Sequence, residues 1–500
     1  MVNRPPNPSP KPSATNTTKK RIVKKAKKIV KTSQLPTENS QQGGRPVLRR
    51  KVKTKKTSSG LASTLAIAIL LGSACLVAAF AWVSIELMIN PDKVTWLNKL
   101  LPAWVTSLTH DENPQTLPQI QSALEEQGTI AGDILPLESG EIETFLLPVF
   151  KQAHNCQSDC REIVELRVYQ RSQNLELKSK AEKYYTLATQ LSITGLEESF
   201  VVSPSVDATS ENQGSNFVLP VREIGRLEGE TSSSSIWLYA QGKHQQESQA
   251  IAYGYIFHYN PKRTNLQLML SWTSPSGQLP KWQQVTGGGA KELVVDQTVG
   301  LEPQLNIYQV KPSNFVLNPI QLEQISLQTP ALNDAAYQDA LLIAKSGLWT
   351  PAWEWLQFIQ KQRRDKIPAA AQAQIDMIRL HSQLTKTQAD TTWASPSQQV
   401  LADLIDGRWG KALQVFQASP QNAQEIVTLL KADRGRLWNR VKTALQVNPR
   451  RPEVQAWGAL IIAVQQGQER ANTFLEGQTQ ITKESLAYIQ TLLAQVISEQ

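Results

Sequence analysis

Cys156 and Cys160, in the stretch HNCQSDC, have the residue type and spacing for covalent or metal chemistry. A local disulfide is the expectation if the segment faces an oxidising compartment, with two free thiols as the remaining state. A metal site would add His154 and Asp159, but one Cys-x-x-x-Cys with one His offers too few soft ligands at a poor spacing, so no metal is expected. The third cysteine, Cys75, sits in an apolar run as a small filler. The five histidines fall in no Gly-x-Ser-x-Gly or His-Glu-x-x-His motif. His258 shares a strand face with Ile256, as a structural histidine does. TGGGAKE, residues 286–292, has the glycines of a phosphate cradle, but the following ELVVDQ reads as strand and not as the helix a cradle needs, so a hairpin turn is expected. The carboxylate pairs Glu125 with Glu126, and Glu141 with Glu143, carry no sign of a cleft. No constellation establishes a reaction, so neither catalytic residues nor a cofactor are expected.

Placement is more legible than chemistry. Residues 1–60 hold seventeen Lys and Arg against Glu38 alone, a net of +16 in a chain of net +9, so the remaining 440 residues are acidic, with a net of −7. With no aromatic residue and many Pro, Ser, Thr and Asn, this tail cannot bury enough apolar surface to order itself and reads as disordered. Next, residues 61–85 run for twenty-five positions without a charge. At helical rise this covers about 37 Å, enough for a hydrocarbon core of about 30 Å. The run exceeds a signal-peptide core, and a sixty-residue leader is too long for one, so an uncleaved transmembrane helix over residues 61–89 is expected. The basic excess before it predicts a cytoplasmic N-terminus and an extracytoplasmic bulk.

Within the tail, TKKRIVKKAKKIV gathers Ile22, Val23, Ala26, Ile29 and Val30 within about 120° of a helical wheel. Lys24, Lys25, Lys27 and Lys28 lie off that arc. Such a helix forms against a surface, and anionic lipid beside the anchor is the first candidate, nucleic-acid phosphate the second. After the anchor, residues 90–140 read as a juxtamembrane linker. There Val94, Leu97, Leu101 and Trp104 share a helical face near Trp82 and Trp96, a pattern suited to a membrane interface and interrupted by Pro102.

Residues 141–330 alternate with period two. In the clearest stretch Ile251, Tyr253, Tyr255, Phe257 and Tyr259 point one way, NPKRTN turns the chain, and Leu266, Leu268, Leu270 and Trp272 again point one way. EIVELRVYQ, NFVLPVREI, SIWLYAQ, KELVVDQ and LNIYQV add strands between turn-rich segments, without regularly alternating helices. An all-β domain, an antiparallel sandwich or open barrel, is expected.

Residues 331–500 read as all-α. GLWTPAWEWL from Gly347 and GRWGKALQVF from Gly407 both spell Gly-x-Trp-x-x-Ala-x-x-x-(Leu/Phe), sixty residues apart, and GQERANTFL from Gly467 is a fainter echo. Gly ends one helix, and a small Ala on the next lets the pair approach while Trp and Leu or Phe fill the groove. Gly347, Trp349, Ala352 and Leu356, and Gly407, Trp409, Ala412 and Phe416, resemble the inter-helix turn of tetratricopeptide repeats. That resemblance implies stacked helical hairpins and protein binding, although the period departs from the family's roughly thirty-four residues. An ordinary helical bundle with similar turns is the alternative.

The chain as a whole thus reads as a multidomain, single-pass membrane protein of the cell envelope. It would act as a scaffold or binding protein that engages protein partners through its β and helical domains. An envelope enzyme, for instance one acting on wall polymer, is the alternative, and a membrane tether for nucleic acid through the basic tail is a second.

Overall fold

The computed structural model describes residues 113–138, 143–152, 161–172, 183–205, 214–229, 236–246, 249–314, 319–363, 366–478 and 480–497. The basic tail with its stripe from Ile22 to Val30, the uncharged run and residues 90–112, and Cys156 with Cys160, lie outside the described residues. Among the described residues, no helix is long and apolar enough to cross a membrane.

The N-terminal part is an all-β domain of stacked antiparallel sheets. β1 (Gln115–Thr116), α1 (Leu117–Glu126), β2 (Ile130–Ala131), β3 (Leu135–Pro136), β4 (Thr144–Gln152), β5 (Arg161–Arg171) and β6 (Tyr184–Ser192) come first. They form a sheet ordered β1-β6-β5-β4-β2, with β3 also on β4. Residues 115–136, expected within a linker reaching residue 140, are therefore built into this sheet and its covering helix. The capping box of Thr116 and Gln119 starts α1.

A small pair, β7 (Leu196–Glu197) and β8 (Val218–Leu219), flanks the one-turn α2 (Glu198–Val202). The second sheet is the meander of β9 (Glu223–Arg226), β10 (Ile236–Gln246), β11 (Gln249–Asn260) and β12 (Asn265–Ser274). The third joins β13 (Lys281–Gln283), β14 (Glu292–Asp296), β15 (Leu305–Pro312) and β16 (Ile320–Gln324). The turn 286–291 links β13 to β14, and the buried Glu292 carboxylate accepts from the Val285 and Thr286 amides at 2.9 and 3.2 Å.

Period-two alternation lets the middle sheet serve two cores at once. Ile251, Tyr253, Tyr255, Phe257 and Tyr259 pack toward the first sheet on Leu146, Leu166 and Val168. Ala252 and Ile256 pack toward the third sheet on Trp282, Leu293 and Val295.

One sequence expectation is corrected here. Leu266, Leu268, Leu270 and Trp272 do not share a face, because β12 slips register opposite Ile256 and Phe257, leaving Met269 as an extra residue. A one-residue bulge inverts every side chain beyond it. Leu266 stays in the first core, Leu268 is 42% exposed, and Leu270 and Trp272 join the second core.

The C-terminal part is helical. It comprises α3 (Ala335–Lys345), α4 (Trp349–Gln362), α5 (Ala369–Asp390), α6 (Pro396–Asp406), α7 (Trp409–Gln417), α8 (Pro420–Ala432), α9 (Arg436–Val447), α10 (Pro452–Gln466), α11 (Gln468–Glu476) and α12 (Lys483–Ile497). Gly347 lies between α3 and α4, Gly407 between α6 and α7, and Gly467 between α10 and α11, all three at positive φ. Ala352, Leu356, Ala412, Phe416 and Ala471 are fully buried beyond them.

These hairpins do not stack along one axis as tetratricopeptide units do. α10 is buried on every side from Val454 to Val464, enclosed by α7, α8, α9, α11 and α12, and α9 returns to pack on α3. A helix that is apolar all round belongs at the centre of a bundle.

Candidate functional site

The joint between the two domains holds several buried polar side chains. α5 presents it on one face, since Gln374 and His381 are seven residues apart. The Gln374 amide, 4% exposed, donates to the Ser326 and Thr329 carbonyls at 2.5 and 2.8 Å. Its oxygen accepts from the Ala331 amide at 3.1 Å and the Tyr337 hydroxyl at 2.6 Å. Both functions of this side chain thereby pin the interdomain linker to the bundle. Arg379 adds a bond to the Val285 carbonyl at 3.1 Å.

His381 completes the joint. The Leu305 amide of β15 donates to its Nε2 at 2.9 Å, which leaves the proton on Nδ1, donated to the Met377 carbonyl at 2.9 Å. Trp349, the aromatic residue of the first Gly-x-Trp turn, stacks on the ring at 4.0 Å. Burial lowers the His381 pKa from 6.5 to about 4, only partly offset by the Met377 bond and the Asp296 charge. The unfolded chain therefore binds this proton first. The histidine's contribution to stability is intact above pH 6.5 and declines as pH falls from there toward 4, by on the order of 3 kcal/mol in all. Unfolding free energies from urea titrations at pH 7.5 and pH 5 should fall more in wild type than in His381→Gln, the difference reaching about 2 kcal/mol. Equal falls would show that the ring is not held neutral.

Two cavities of about 380 and 370 Å³ adjoin this joint, sharing Val299, Glu302 and Arg436. The loop 297–304, closed by the mutual bonds of Val299 and Glu302, carries Glu302 out of the third sheet to the bundle. There the Glu302 carboxylate pairs with Nη2 of Arg440, whose side chain is 4% exposed. Nε and Nη1 of Arg440 meet no hydrogen-bond partner among the described residues. The guanidinium lies so close to Gly347 that a Cβ there would approach it to 2.7 Å, and Gly347 is also held at φ +87°. Lys345, Arg436 and Asn439 complete the polar wall of the first cavity.

A third cavity, of about 390 Å³, opens at the second turn, beside Gly407. Asp406, buried just before it, accepts from the Thr350 hydroxyl, from the Thr385 hydroxyl at 2.8 Å and from Arg408 Nε at 2.6 Å. Arg408 also reaches the exposed Asp390 at 2.5 Å. A Cβ on Gly407 would stand 2.5 Å from the Pro351 ring, so this glycine carries both the turn and the contact between α6 and α4.

Of the residues singled out by sequence, Gly347 and Trp349 line the first cavity, Gly407 lines the third, and Trp409 lines a fourth of about 260 Å³. Ala352 and Ala412 are core. His258 is buried and packs on Trp237 with ring centroids 4.9 Å apart. His244 meets one carboxylate, Glu198, at 3.4 Å. No group of three His, Cys, Asp or Glu suited to a metal occurs among the described residues. Arg436 and Arg440, and Glu302 more than 130 residues before them, carried no linear signal. No protein-family model, curated protein or solved structure matches this chain.

Proposed function

We propose that this protein is a single-pass, membrane-anchored scaffold or binding protein of the cell envelope, with its basic tail on the cytoplasmic side and its β and helical domains outside. The uncharged run 61–85 after a strongly basic tail supports the anchor and its orientation. One observation carries the recognition role. The third sheet and the bundle share a single apolar core, in which Val294 and Ile307 pack with Tyr337 and Leu341, and Gln374 and His381 bond across the same joint. The most perturbed buried groups are thereby committed to holding two domains in one orientation, which suits a rigid binding body.

Cell fractionation with alkaline washing and external protease tests the placement. The full chain should stay with the membrane, with its body cleaved and an N-terminal tag protected; release by alkali, or protection of the body, would overturn the anchor. Crosslinking then tests recognition. Cutting at residue 331 would uncover the apolar face of the third sheet, so the suitable control replaces residues 113–497 with an unrelated folded domain. A reproducible envelope partner should be recovered with the native body and lost with the replacement. The same partners from both would refute the role.

A further inference from the structure

We propose that the third and fourth cavities together bind a free α-amino acid with a bulky apolar side chain. This goes beyond the scaffold reading and does not depend on the chain's placement in a membrane.

The two cavities adjoin, sharing Pro351, Glu354 and Arg451. The lobe of about 260 Å³ is largely apolar. It is lined by Ile343, Leu348, Ala444 and Trp409 of the bundle core and by the half-buried Trp355 and Val447. Close-packed interiors leave few voids larger than a water molecule, and apolar walls without an occupant forfeit packing contacts. The lobe is smaller than the roughly 300–1,000 Å³ of a site enclosing a whole drug-sized ligand, and suits a single side chain.

Where the lobes meet, two opposite charges stand without a partner. Neither Glu354 nor Arg451 makes an ion pair or a side-chain hydrogen bond among the described residues, although both line the same two cavities. Glu354 is exposed and Arg451 half-buried, so a solute can reach both. In the lobe of about 390 Å³ the other acids are already paired, since Asp406 and Asp390 both bond Arg408, and Lys386 adds a cation. Single solvated charges are ordinary on a protein surface. A free carboxylate and a free guanidinium beside an apolar lobe are a more specific arrangement. They match the three groups that an α-amino acid carries on one carbon, its ammonium, carboxylate and side chain. A fatty acid would set its carboxylate against Glu354, and an alkylamine would set its ammonium against Arg451 and Lys386. A peptide terminus brings one of the two charges, so the chemistry favours the free zwitterion.

L-leucine and L-phenylalanine, titrated separately into the purified full chain, are the probes. At least one should give saturable heat and a rise in melting temperature, with a Kd of ~1 mM or tighter. The N-acetyl form of that amino acid lacks the ammonium and its amide lacks the carboxylate. Each should bind the native chain about tenfold more weakly or worse, the loss of one charged hydrogen bond. Glu354→Gln and Arg451→Gln remove no bond of the free protein, so neither should change the ligand-free melting temperature. Glu354→Gln should abolish the preference over the N-acetyl form and keep the preference over the amide, and Arg451→Gln should do the reverse. General damage to the site would remove both preferences at once. Absence of binding by both amino acids, equal binding of either derivative by the native chain, or loss of both preferences in either variant overturns the proposal.

Discussion

Replacing Trp457 by Ala should lower the unfolding free energy by about 4 kcal/mol, near the top of the range for a single core truncation. Trp457 is fully buried at the centre of α10 and meets Phe416 edge-to-face, with ring centroids 6.2 Å apart. Its indole N–H donates to the Trp409 carbonyl at 3.0 Å, so it ties the central helix to the start of α7 in the second Gly-x-Trp hairpin. Truncation removes the largest side chain of that helix from a site closed on all sides, where neighbours cannot collapse into the void. Trp457→Phe keeps most of the apolar volume and should cost less than half as much. Urea unfolding followed by helical circular dichroism measures both. A loss below about 1 kcal/mol for the alanine variant would mean that α10 is not the centre of the bundle.

The second large effect concerns Asp406. Arg408→Met should destabilise the chain by about 3 kcal/mol, because it strands a carboxylate that is 1% exposed and has only two threonine hydroxyls left to satisfy it. Asp390→Asn, at the solvent-facing end of the same network, should be close to neutral. The decisive comparison is the double substitution Asp406→Asn with Arg408→Met. Asn keeps an acceptor for Thr350 and Thr385 while removing the charge, so the pair should lose less than Arg408→Met alone. Strict additivity of the two single losses would show that the aspartate and arginine do not act as a unit.

Local patterns were legible wherever the physics is local. Alternation in β11, helical turns at Gly347, Gly407 and Gly467, and the turn through 286–291 all follow from the conformational preferences of a few adjacent residues. The strands β4 and β6 were harder to see. TFLLPVFKQ is buried on both faces over much of its length, so its apolar residues do not alternate. The bulge in β12 was invisible because QLML reads as regular alternation, and only pairing with β11 singles out Met269 as the extra residue.

The sequence by itself determined the composition of the layers: a basic tail, an uncharged run long enough for a bilayer, a region of period two and a region of period 3.6. Each of these is a property of neighbours along the chain. Only tertiary structure decided that the third sheet and the bundle share a core, that α9 comes back to α3, and that Glu302 meets Arg440 across 138 residues. The reason is physical. Burial and charge pairing depend on which surfaces meet in space, and an arginine such as Arg440 has the same neighbours in sequence whether it ends in solvent or beside Gly347 with two of its nitrogens unpaired.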